Sequence, residues 1–164
     1  AADASLVLDA VIAKNTGEAD RLWALRHSIA EAERHHGKGL KHDISVPIGK
    51  MQDFLVRGEA LLAQLLPDAG LLAFGHVGDG NLHYNVTLPR ELVPAEAETA
   101  AGRVTSAIYD LVAEMGGSFS AEHGVGRLKR QYLRQYRAGA EFDLMKRLKA
   151  LLDPHHILNP GKVI

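Results

Sequence analysis

Phe74-Gly-His-Val-Gly-Asp-Gly-Asn-Leu-His-Tyr-Asn-Val86 carries the strongest structural signal in this chain. An Asp-Gly pair between extended apolar runs is a strong local hairpin signal, because a type I′ turn needs positive φ at both central residues. With Asp79-Gly80 as a two-residue loop, Gly78 is predicted to pair with Asn81, Val77 with Leu82, and His76 with His83. Directly opposed residues hold their Cβ atoms roughly 4.5–5.5 Å apart. Both imidazoles would then leave one sheet face side by side. The period of two adds Asn81 and Asn85 to that face and gives Val77, Leu82, Tyr84 and Val86 to the other. A hairpin with one apolar face and one His/Asn face needs a reason for the second, and half of a metal or catalytic site supplies one.

The chain around this hairpin has 164 residues, enough for a domain with its own core. Apolar residues make up 46% and charged residues 24%, as in ordinary globular chains. The net charge of −1, with Lys and Arg scattered, argues against a nucleic-acid footprint. There is no cysteine, which excludes disulfides and thiolate metal sites. Any metal must use His, Asp, Glu or water. No apolar run approaches the ~20 residues that span a bilayer. No basic-then-apolar leader pattern opens the chain, and a cytoplasmic or mitochondrial-matrix location is expected. The abrupt Ala-Ala-Asp-Ala start reads as that of a fragment.

Taken in order, Asp9-Ala-Val-Ile-Ala-Lys14 reads as a strand. Asn15 followed by Glu18 predicts a capped helix start. That helix should run to about Glu33, burying Ala19, Leu22, Leu25 and Ile29. Lys41-His-Asp-Ile-Ser-Val46 alternates: Lys41, Asp43 and Ser45 face one way, His42, Ile44 and Val46 the other. Pro47 opens a helix with Met51, Phe54, Leu55, Leu62 and Leu65 on its apolar side, and Pro67 ends it. Pro94 starts a long helix, striped by Val104, Ile108, Leu111, Val112 and Met115 and stopped at Gly116-Gly117. An extended piece, Ser118-Phe-Ser-Ala121, leads into Glu122-His-Gly-Val-Gly126. Two helices follow, from Arg127 to about Tyr136 and from about Glu141 to Leu152. The pattern predicts an α+β fold, an antiparallel sheet covered by helices in two layers.

Two histidines and a carboxylate around an open position form a recognised catalytic metal set. His76 and His83 supply the imidazoles, and Glu122 is the best carboxylate, at a strand-to-glycine-loop junction. Glu122 lies 39 residues after His83, so spacing alone leaves open a pair of half-exposed histidines bonded to backbone. His27, His35, His36, His42, His155 and His156 read as surface or loop residues. His123 is the acid/base candidate, since an imidazole titrates near neutrality; a bond to the following turn is the alternative. Arg26 and Lys41 are candidate anion binders, against simple solvation. The glycines match neither G-x-G-x-x-G nor a P-loop, and no nucleophile elbow is present.

These motifs, with Leu22-Trp-Ala-Leu-Arg26, Lys41-His-Asp-Ile-Ser-Val-Pro47 and the tail Leu152-Asp-Pro154 … Ile157-Leu-Asn-Pro-Gly-Lys162, resemble the C-terminal domain of FAD-linked oxidases. The similarity is greatest to the D-2-hydroxyacid dehydrogenase branch and covers the whole chain in order. The resemblance implies a ferredoxin-like substrate- and metal-binding cap over residues 1–164, whose partner, an N-terminal FAD-binding domain, lies outside this sequence. It implies a divalent metal, usually zinc, on His76, His83 and Glu122, and His123 as the base for the substrate hydroxyl. Arg26 and Lys41 would hold the substrate carboxylate, and Asn81 and Asn85 would line the pocket. The tail with Asn159 would pack toward the flavin. The implied substrate is a small D-2-hydroxy acid, and this chain alone is expected to be inactive. A same-fold flavin oxidase of another alcohol and a stand-alone metal-binding module are the alternatives. The particular acid and the electron acceptor are left open.

Overall fold

Three extended segments become one antiparallel sheet: β1 (Gly39–Ser45), β2 (Gly70–His76) and β3 (Asn81–Thr87), in spatial order β1-β3-β2. The computed structural model describes residues 9–33 and 39–164, apart from the side chains of Ala30 and Glu33. They fall into two compact units, Ala1–Lys38 and Gly39–Ile164. The second holds the sheet together with α2 (Met51–Leu65), α3 (Pro94–Glu114), α4 (Arg130–Tyr136) and α5 (Ala140–Leu152). His35 and His36 lie outside the described residues.

The hairpin forms, but with a longer loop than Asp79-Gly80. Phe74 stands opposite His83, Gly75 opposite Leu82, and His76 opposite Asn81. Val77–Asp79 make a 3-10 turn, and only Gly80 takes positive φ, at 74°. The Asp79 carboxylate explains the change: its Oδ1 accepts the Asn81 N–H at 3.0 Å, an Asx turn that replaces the type I′ geometry. The whole turn is seated on the end of β1, where the Val46 N–H donates to the Gly80 carbonyl at 3.1 Å. The slip relative to the predicted pairing is two residues. A slip of one would have turned every side chain over; a slip of two keeps both faces. Val77 is the exception, leaving the sheet for the turn and standing 65% exposed.

One face is the core. Ile44, Leu82, Tyr84 and Val86 are all but sealed from solvent beneath α2 and α3. Phe54 of α2 meets Tyr84 edge to face at 5.3 Å, and Val104, Ile108 and Val112 give α3 its buried stripe. Each such side chain, fully buried, stabilises by roughly 1.5–3 kcal/mol. His42 belongs to this face, as the alternation of β1 requires, and is not a surface residue. Its Nδ1–H donates to the Tyr84 carbonyl at 2.8 Å, and its Nε2 accepts from the Thr105 hydroxyl at 3.0 Å. Burial lowers its pKa from 6.5 to about 4, and the Lys129 charge adds to that against the Tyr84 bond.

Three further expectations are corrected. Residues 9–13 form no strand. The 118–121 segment contributes one isolated bridge, Ser45 to Ser118, and not a fourth strand. In the first unit, α1 (Thr16–Glu33) forms with the expected cap: the Glu18 N–H donates to Asn15 Oδ1 at 2.9 Å. Its apolar residues are not buried, however, with Leu22 42% and Leu25 69% exposed. Arginines and acids interrupt the helix on every side, so no single face is dry.

Candidate active site

The sheet face away from the core carries the polar residues, and strand register stacks them in rows. Asp43, His83 and Phe74 form one row across β1, β3 and β2. Ser45, Asn81 and His76 form the next toward the turn, and Lys41, Asn85 and Leu72 the one on the other side. The predicted companions Lys41, Asn81, His83 and Asn85 therefore share a surface. Asn81 and Asn85 are buried there, while Lys41 is exposed.

The loop after α3 brings Glu122 and His123 onto this surface. His83 Nε2 lies 3.0 Å from Glu122 Oε1, and the His123 ring stacks on that of His83 with centroids 5.5 Å apart. His83 is thus the centre of the site, held from the other side by Phe74 at 5.0 Å. His76 stands one row away and diagonal, its ring edge-on to His83 at 6.4 Å between centroids, not side by side with it.

Asp43, which the sequence reading placed on this face without a role, lies under the loop. It is 3% exposed. Its Oδ2 accepts the backbone N–H groups of Ala121, Glu122 and His123 at 3.2, 3.1 and 2.8 Å. Burial pushes its pKa up, but the N–H groups of His123 and Glu122, with the nearby charges of His123 and Lys129, outweigh this and hold it below the usual value. Lys129 braces the same loop: Nζ donates to the Phe119 carbonyl at 3.0 Å and the Ser120 hydroxyl at 3.3 Å. Burial lowers the Lys129 pKa, and Asp43 opposes that shift. Asp43 escaped the sequence reading because its main partners are backbone N–H groups, and Lys129 because its partners are distant in sequence from it or lie on backbone carbonyls; neither leaves a motif. The one available signal was the alternation of β1, which puts Asp43 on the site face.

The donor chemistry fits a divalent cation. Ligand atoms of Asp43, His83, Glu122 and His123 lie within 4.8 Å of one another. The Asn81 Oδ1 atom, buried on the same face beside His76, has no hydrogen-bond partner. Three N–H groups occupy Asp43 Oδ2, while Oδ1 receives only a second, 3.4 Å contact from the Glu122 N–H; His83 and Glu122 are the pair that meet directly, at 3.0 Å, with His76 on the rim. Arg26 lies half-buried on α1, in the separate first unit. Asn159, at φ 47°, lies in the tail, where its carbonyl accepts the Lys162 N–H at 3.2 Å. His155 and His156 are exposed there, and His27 stacks on Trp23.

Comparison with known proteins places the chain in a family. The family described as "FAD linked oxidases, C-terminal domain" matches residues 1–163. The chain belongs to that family. It is 41% identical over 157 residues to a D-2-hydroxyglutarate dehydrogenase of Stutzerimonas stutzeri, covering 96% of this chain and 34% of the relative. A protein of the same name from Xanthomonas citri is 42% identical over 157 residues, 96% of this chain and 33% of its own length. The mitochondrial one of Rattus norvegicus is 37% identical over 163 residues, 99% of this chain and 29% of its own. This chain spans about a third of the length of the relatives it matches. Among the described residues no helix is long and apolar enough to cross a membrane.

Proposed function

We propose that residues 1–164 form the substrate- and metal-binding cap of an FAD-dependent dehydrogenase that oxidises a D-2-hydroxy acid to the 2-oxo acid. The observation that carries the reading is the convergence of His83, Glu122 and His123 on the polar sheet face, from segments far apart in sequence. The names of the relatives make D-2-hydroxyglutarate the first substrate to test. A second domain, outside this sequence, would hold FAD; the eukaryotic relatives are named as mitochondrial, the bacterial ones not.

In this reading the residues of the chain divide the work. Lys41, on the row beside His83, binds substrate carboxylate, and Arg26 of α1 keeps the anion-binding role that the family resemblance implies. Asn81 and Asn85 line the sheet side of the pocket and orient the substrate by hydrogen bonds. His83 and Glu122, with His76 at the rim, would hold a divalent metal, which when bound makes an alcohol more acidic and fixes its orientation. His123 takes the hydroxyl proton on its imidazole. The α-hydrogen leaves as hydride, for which FAD is the acceptor when present. One proton and one hydride leave, and the 2-oxo acid remains. Asn159 and the surrounding tail would face the flavin-binding partner.

The test is flavin reduction in the protein joined to its FAD-binding half, with D-2-hydroxyglutarate, D-lactate, glycolate and an aryl alcohol each offered in turn with a dye acceptor. Bleaching by a 2-hydroxy acid is expected. Reduction by the aryl alcohol alone would favour the other flavin-oxidase reading. His123→Ala is expected to slow reduction ~10²–10⁴-fold with FAD still bound; an unchanged rate would remove it as the base.

A further inference from the structure

We propose that Asp43 is a positioning residue of this site: its carboxylate carries the backbone of Ala121, Glu122 and His123 and thereby sets Glu122 against His83. The proposal rests on the reading of Glu122 and His123 as working groups. The geometry begins with the ladder. Asp43 and His83 are paired residues of β1 and β3, so their side chains leave the sheet together. The loop is then fastened to the first of them. Three consecutive N–H groups converge on Oδ2 at 2.8–3.2 Å, and the Glu122 N–H also reaches Oδ1 at 3.4 Å. A loop hung on Asp43 at this point presents Glu122 to His83, and the two side chains meet at 3.0 Å. The neighbouring His123 lands with its ring over His83 and its Nδ1 3.7 Å from Asp43 Oδ2.

Two other roles fit less well. As a metal ligand Asp43 could offer only Oδ1, since three N–H groups occupy Oδ2, and that oxygen already receives the 3.4 Å arm of the Glu122 N–H. As a plain core residue it would need no charge, yet a neutral amide in its place has one acceptor oxygen and turns an NH₂ toward donors. Bonds from N–H to an ionised oxygen are about twice as strong as neutral ones. Lys129 completes the device from below: its ammonium, 3.8 Å from Asp43 Oδ2, ties Phe119 and Ser120 to the same base. Metal-site supports of this kind, when removed, typically cost ~10–100-fold in metal affinity or activity.

The test uses this chain free of metal. Amide hydrogen exchange by NMR should show the Glu122 and His123 N–H groups slowed tenfold or more relative to unprotected peptide. In Asp43→Asn that protection should vanish, along with the nuclear Overhauser contact between the His83 ring and the Glu122 side chain, while Ile108 and Val112 in α3 keep theirs. Unprotected Glu122 and His123 amides in the unaltered chain overturn the proposal, whatever the variant does. Protection retained in Asp43→Asn overturns it too. Loss of α3 protection in the variant makes Asp43 a residue of the fold, not of the site, and counts equally against it. A parallel titration with Co(II), followed by visible absorption, separates this from the functional reading. Weakening of Co(II) binding ~10–100-fold in Asp43→Asn supports the proposal. Failure of the unaltered chain to bind Co(II) refutes the metal reading and leaves the exchange data to decide this one.

Discussion

Acid should destabilise this protein through the ring of His42. The side chain is 2% exposed and neutral, with its donor nitrogen on the Tyr84 carbonyl and its acceptor nitrogen on the Thr105 hydroxyl. In the unfolded chain His42 binds a proton near pH 6.5; in the fold it does so only near about 4. Between those values the unfolded state holds more protons, so stability rises with pH across the interval. The contribution is fully present above pH ~6.5 and is lost as pH falls toward ~4. At ~1.4 kcal/mol for each pH unit between the two values, His42 alone accounts for a loss of ~3 kcal/mol. The perturbation is His42→Asn, which keeps a donor for Tyr84 and removes the titration. Urea unfolding at several pH values between 7 and 4 gives the free energy of each protein by linear extrapolation. At pH 7 the variant should be less stable by ~1–3 kcal/mol, from the lost ring and the unpaired Thr105. Toward pH 4 the two curves should converge. Parallel curves across the whole range would mean that His42 titrates alike in the folded and unfolded states.

Tyr84 Oη is buried with no partner, so Tyr84→Phe should raise stability by ~1 kcal/mol in urea. A Cβ at Gly58 would stand 2.9 Å from that hydroxyl, so Gly58→Ala should cost ~1–3 kcal/mol despite the better helix former, and distinctly less when combined with Tyr84→Phe. Additive effects in that double-mutant cycle would contradict the contact. Gly80→Ala places a Cβ 2.1 Å from the Val46 carbonyl at a φ of 74°, and should lower the urea midpoint sharply; an unchanged midpoint would mean the turn is not seated on β1. His83→Ala and Glu122→Ala should each abolish retention of one divalent ion after dialysis, read by elemental analysis. Full occupancy in either would remove that residue from the metal set.

Much of this was legible in the sequence, for definite reasons. The long helices α2 and α3 showed their stripes, and Pro47, Pro94 and Gly116-Gly117 marked where they start and stop. The two faces of the sheet were legible because alternation survives a two-residue slip. The register itself was not: it depends on whether Asp79 uses its carboxylate to close an Asx turn, and the dipeptide Asp-Gly serves either geometry. Asp9 to Lys14 has the composition of a strand, but composition supplies no partner for its backbone. His42 read as a surface histidine because residue type outweighed its place in the alternation beside Ile44. The site was legible as residues and not as a constellation. His83, Glu122 and His123 do meet, His76 stands farther from His83 than the two-residue loop implied, and Asp43 works through main-chain atoms that no motif encodes.

Strand β1 serves both faces of the sheet. Its side chains alternate between two obligations, with His42 and Ile44 filling the interior and Lys41, Asp43 and Ser45 serving the polar surface. A one-residue shift of the strand against β3 exchanges the two sets, turning Lys41 and Asp43 toward the apolar interior and expelling Ile44. Point changes are tied to both neighbours, since every residue stands between two that answer to the other face. Such a strand has little freedom to drift. Freedom to change lies instead with side chains that serve neither face, such as Val77 in the turn, which is 65% exposed.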